Sequence, residues 1–181
     1  MSDPSTPLRE GVRSIDLDLS LALMRLILAW SGRDIGAREK EAKAAVELAE
    51  PYPSSWVSRV IRFLAKSFFL YDATGATEIY GSMAEVEKLI STESLEAYFL
   101  RGYSRMFRGE RDLVLPTFRA ALALEADNPY VLFSMMFPFK MEGATNEILS
   151  VREKLRSAWP NHPLNVYADN ILKGWGLTSA G

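Results

Sequence analysis

What constrains this chain most is the spacing of its helix-starting residues. Asp18, Ser54, Ser94, Asn128 and His162 each stand just ahead of a stretch with apolar residues at helical spacing, and they lie 36, 40, 34 and 34 residues apart. Ser, Asp and Asn are side chains that accept the free backbone N–H groups of a helix's first turn. Turn signals punctuate the stretches: Ser31-Gly32, Pro51 and Pro53, Asp72 to Gly75, Ser91 to Ser94, Gly109, Gly143, and Pro160 to Pro163. No segment alternates apolar and polar residues between tight Gly turns, so strands are not expected. The spacing predicts about nine helices, over 18–30, 37–49, 56–71, 77–90, 95–108, 112–125, 129–141, 145–159 and 164–173. Two helices per interval, joined by short turns, make a series of antiparallel hairpins.

Composition removes most alternatives. With 181 residues, 48% hydrophobic and 11% aromatic, the chain can bury a core of its own and is too apolar for disorder. We read 1–12 as a disordered lead-in, 13–175 as a single helical repeat domain and 176–181 as a flexible tail. The most apolar run, Leu19 to Trp30, is 12 residues long with Arg25 inside it. A spanning helix needs roughly 20, so no membrane is expected as a partner. Met1 to Gly11 lacks a basic start leading into an apolar run, and a cytoplasmic location is expected. A net charge of −2 argues against a nucleic-acid partner.

The chemistry of sites points the same way. There is no cysteine and one histidine, which excludes disulfides, thiol catalysis, Cys-ligated zinc and any site built on two histidines. No Gly-rich phosphate loop and no Gly-x-Ser-x-Gly elbow occurs. Asp16 with Asp18, and Glu39 with Glu41, are carboxylates two apart, which face different sides of a helix. His162, in Pro-Asn-His-Pro, reads as a turn residue. We therefore expect no enzyme, no catalytic residue, no metal and no cofactor.

Ser94 to Asn128 is the most regular unit. Tyr98, Gly102 and Gly109 on its first helix and turn, and Phe118, Ala121 and Leu124 on its second, resemble a tetratricopeptide repeat. Val114 departs from that pattern, which has a small residue there. Gly102 would let two helices approach closely, and Gly109 would supply a left-handed turn. The resemblance extends more weakly over 17–173, through Ala42, Ala45, Leu48, Trp56 and Leu132. It implies an all-α, right-handed α-solenoid of about four antiparallel helical hairpins plus a C-terminal capping helix.

In such arrays the first helix of each hairpin lines a concave groove. Carrying those positions over gives a peptide-binding groove of Val57, Ile61, Leu64, Phe99, Tyr103, Met106, Tyr130, Phe133 and Phe137, with Glu96 beside them. Arg62, Arg105 and Lys140 form the groove rim. The cationic clamp used by many arrays for a peptide carboxylate is replaced here by apolar side chains, so the resemblance implies capture of an apolar or amphipathic segment of another protein. The same residues at helical spacing also read as plain core, and self-association as a homodimer would cover them too. The arginines at 59, 62, 101, 105 and 108 read either as a rim for an acidic partner or as a face paired with carboxylates of the next hairpin. Three roles stay open: an adaptor or scaffold, a small secretion-type chaperone masking an apolar client segment, and a regulatory or sensing portion of a signalling or transcription system.

Overall fold

The computed structural model describes residues 14–177. The expected lead-in and most of the expected tail lie outside them. The described residues form ten helices and no strand: α1 (Ile15–Ser31), α2 (Ile35–Ala49), α3 (Trp56–Phe68), α4 (Ala73–Glu78), α5 (Met83–Ile90), α6 (Leu95–Phe107), α7 (Arg111–Leu124), α8 (Pro129–Glu142), α9 (Thr145–Ala158) and α10 (Leu164–Gly174). The all-α class is as expected. None of these helices is long and apolar enough to cross a membrane.

Most helix starts follow from side-chain caps. Asp34, Ser55, Ser82, Ser94 and Asn128 each accept backbone N–H groups from the first turn they precede. At the first helix the cap is Ser14, whose Oγ accepts the Leu17 N–H at 3.2 Å. Asp18 is instead buried inside the helix and receives the Tyr52 hydroxyl at 2.5 Å. Two further boundaries differ from expectation. The stretch predicted as one helix over 77–90 is broken into α4 and α5, because Gly81 turns left-handed (φ 81°) and Ser82 is extended and caps α5. The preceding helix ends at Phe68, ahead of the left-handed Tyr71 (φ 54°).

Packing follows chain order. Within the expected hairpins α1 packs on α2, α3 on α4, α6 on α7 and α8 on α9. Further neighbours along the chain pack as α2 on α3, α5 on α6, α7 on α8 and α9 on α10. Contacts also join α1 to α3, α3 to α6 and α8 to α10. Buried residues from the helices make one contiguous core.

At the α6–α7 hairpin a Cβ on Gly102 would stand 2.7 Å from the Phe118 ring, so that glycine is what lets the ring lie against the helix. Gly109, at φ 76°, makes the turn that follows. Tyr103 and Ser134 share a buried 2.7 Å hydrogen bond that ties α6 to α8. At one end of the molecule the Tyr130 hydroxyl donates to Asp16 at 3.1 Å, joining residues 114 apart in sequence. The first helix therefore meets the eighth. At the C-terminus the Leu177 N–H donates to Leu172 at 2.8 Å, and the Trp175 ring stands edge-on to Phe137, so the ordered packing runs to the last described residue.

Candidate functional site

The nine apolar positions expected to line an open groove do not line one. Val57, Ile61, Leu64, Phe99, Tyr103, Met106, Tyr130, Phe133 and Phe137 are each 7% exposed or less. Side chains of neighbouring helices cover them. Phe99 packs edge-on against Trp56 at 5.2 Å and against Phe118 at 6.1 Å, while Trp56 in turn meets Tyr130 at 6.4 Å. Burial pushes the Tyr103 hydroxyl well above its ordinary range, against a smaller opposing effect of its Ser134 hydrogen bond. The face drawn as a trough is filled by its own side chains.

The expected rim is dispersed as well. Arg105 reaches across the α6–α7 turn to the Thr117 hydroxyl and the Leu113 carbonyl. Lys140 is exposed and lies 5.4 Å above the Trp175 ring. Arg62 is half-buried on α3, with no hydrogen-bond partner at Nε. Arg59 makes the pairing expected of a structural face. Its guanidinium grips Glu96 at 2.9 and 2.8 Å, joining α3 to α6, and that bond raises the Arg59 pKa. Tyr80 donates to the same carboxylate at 3.2 Å, and burial, then the Glu96 charge, drives its hydroxyl pKa upward.

Two of the openings in the described surface are walled by large apolar side chains. The first is an apolar cleft of about 530 Å³ between the C-terminal half of α3, the broken pair α4–α5, and the end of α6. Phe63, Phe68, Ala76, Val86 and Ile90 form its walls, and Glu87 and Arg108 stand among its polar lining. Met83 (53% exposed) and Tyr71 (75% exposed) flank it. Tyr71 is also the one non-glycine residue with positive φ among those described. A left-handed backbone costs an L-residue roughly 1–2 kcal/mol.

The second opening, about 540 Å³, lies at the other end of α3, where the starts of α1, α3 and α8 meet the turn before α10. His162 sits in its wall, 8% exposed, edge-on to Tyr130 at 5.4 Å and to Trp159 at 6.1 Å. Its Nδ1 accepts the Leu164 N–H at 3.2 Å, which places the ring proton on Nε2. Nε2 makes no hydrogen bond, and the Asp16 carboxylate is 3.7 Å away.

Burial lowers the imidazole pKa below the ordinary 6.5, against an opposing pull from Asp16. The unfolded chain therefore takes up a proton where the folded chain resists it. The stability this contributes is complete above pH 6.5 and is lost as the pH falls through that value toward the folded pKa. We expect the urea midpoint to drop between about pH 7.5 and about pH 5.5. His162→Asn keeps an acceptor for Leu164 but does not titrate, and should shrink that drop; an identical drop in the variant would assign it to other groups.

Among the described residues, no group of three or more His, Asp or Glu is placed to hold a metal ion. No family model, curated protein or solved structure matches the chain. Several residues around the two openings were singled out from sequence in other roles, among them Asp16, Trp56, Val57, Arg108, Asn128, Tyr130 and His162, but not as parts of these openings. A signal existed for the cleft: Gly81-Ser82 is a stop followed by a cap, which breaks the second helix of a hairpin and leaves a gap beside α3 and α6.

Proposed function

We propose that this chain is a non-enzymatic protein-binding module that takes an apolar or amphipathic segment of another protein in the cleft between α3, α4–α5 and α6. The observation that carries this reading is an apolar cleft with large apolar side chains left exposed at its edge. Its volume lies within the range of pockets that bury a ligand. Each bulky side chain that becomes fully buried there contributes roughly 1.5–3 kcal/mol before ordering costs. Tyr71 supports the same place, because backbone strain persists where surrounding structure imposes it and concentrates at sites of function. Glu87 lends the lining a negative charge, which would set the direction of an amphipathic segment, while Arg108 in the same lining is paired with Glu110 at 2.6 Å. The likeness of 94–128 to a tetratricopeptide repeat favours binding as the mode of action, since such arrays act by holding other proteins.

A photoreactive residue at position 83 should crosslink to one partner segment. A peptide of that segment should then bind the purified chain. Met83→Glu, at an exposed position, should weaken that binding by about tenfold or more, about 1.4 kcal/mol. Val166→Glu, on the exposed side of α10, should leave it unchanged. Equal affinity for the Met83→Glu variant and the parent chain would overturn the assignment to this cleft.

A further inference from the structure

The second opening has a different chemistry from the apolar cleft, and its occupant does not depend on what the cleft takes up. Its walls hold Trp56, Tyr130 and Trp159 together with the neutral ring of His162, and each ring stands nearly perpendicular to the next along the series Trp56, Tyr130, His162, Trp159. Asp16, Glu125 and Asp127 complete the lining, which contains no Lys or Arg among the described residues. Aromatic faces attract cations through the ring quadrupole, most strongly where water is excluded.

The starts of three helices bring an opposing effect, since each carries the equivalent of about half a positive charge. Those helix ends are already answered by the chain's own groups. Ser14 accepts the Leu17 N–H, Ser55 the Ser58 N–H, and Asn128 the N–H groups of Tyr130 and Val131. Three carboxylates therefore outweigh what is left of the helix field. One of them, Asp127, also has Lys154 at 3.3 Å, but both side chains are well exposed and such a pair is readily exchanged.

We propose that this pocket binds an organic cation of the alkylammonium class, seated against Trp56, Tyr130 and Trp159 and neutralised by Asp16 and Asp127. A lysine side chain of a partner peptide and a free amine share that chemistry. His162 adds an aromatic wall; the Asp16 Oδ1 that lies 3.7 Å from its Nε2 already accepts the Tyr130 hydroxyl at 3.1 Å, so the ammonium takes the second carboxylate oxygen.

The indole N–H resonances of the four tryptophans test this directly. Two belong to the pocket, Trp56 and Trp159, while Trp30 and Trp175 lie elsewhere and serve as internal controls. Titration with an acetylated, amidated Gly-Lys-Gly peptide should move the Trp56 and Trp159 signals saturably and leave the other two in place. The same peptide with norleucine for lysine should move neither. Butylammonium added alone distinguishes the sources: saturation as tight as the peptide's identifies a free amine, and weaker saturation identifies a side chain with neighbouring peptide contacts.

Both carboxylates lie on exposed side chains, so Asp16→Asn with Asp127→Asn should keep the fold, read from unmoved Trp30 and Trp175 signals. That double variant should bind the lysine peptide at least about tenfold more weakly. Equal shifts with norleucine, no saturable shift with either cation, or unchanged affinity in the double variant would each overturn the proposal.

Discussion

Phe133→Ala is expected to destabilise the fold by about 3–5 kcal/mol, the usual loss for deleting a buried aromatic ring. Phe133 is fully buried on α8, with its ring edge-on to Phe137 at 5.6 Å. Truncation removes apolar surface that folding takes from water, and it leaves a cavity that the surrounding helices cannot fully close. The measurement is the urea midpoint, followed by far-ultraviolet dichroism. A groove-lining residue would behave in the opposite way, weakening peptide binding while stability held. A loss below about 1 kcal/mol would return this ring to an open surface.

Gly102→Leu is expected to cost about 1–3 kcal/mol or more, for the converse reason of overpacking. A Cβ at position 102 would meet three carbons of the Phe118 ring at 2.7, 2.8 and 3.0 Å. That ring has little room to retreat, because Phe99 stands 6.1 Å and Tyr103 5.5 Å from it and all three are fully buried. Helix propensity pulls the other way, since leucine is favoured over glycine in a helix by up to about 1 kcal/mol. The clash should win, because leucine brings three carbons beyond the Cβ. The thermal midpoint is the readout, and an unchanged or raised value would show that α6 and α7 do not approach this closely.

Much of the fold was legible because it is written in local chemistry. Ser94 and Asn128 are strong caps followed at once by helical spacing, and both open helices where expected. Gly109 and Gly143 take the left-handed conformation that ends a helix. The misread boundaries were also local. Ser14 caps the first helix a turn ahead of Asp18, which lies inside the helix and receives the Tyr52 hydroxyl instead. Gly81-Ser82 outweighs the propensity of its flanks, which alone would have made one long helix.

The site was far less legible, and the reason is geometric. Spacing along a helix says which residues share a face but not whether that face meets solvent or another helix. Phe99, Tyr103 and Phe133 share the expected face, yet all three are fully buried and the Tyr103–Ser134 bond bridges α6 and α8. Trp159 and Asp127 were unremarkable in sequence, because what matters about them is a meeting with Asp16, more than a hundred residues away. Long-range closure of this kind leaves no periodic trace.

The contact of Asp16 with Tyr130 and His162 bears on how such a chain can change over evolutionary time. In an open stack each unit leans only on its neighbours, so units can be gained or shed at either tip with the remainder intact. Here the opening helix is a wall for the closing ones. Removing α1 would bare Tyr130 and His162, and inserting an extra helical pair between them and Asp16 would force these side chains apart. Changes of length between Asp16 and His162 would thereby disturb the contacts that join α1 to α8 and to the turn before α10.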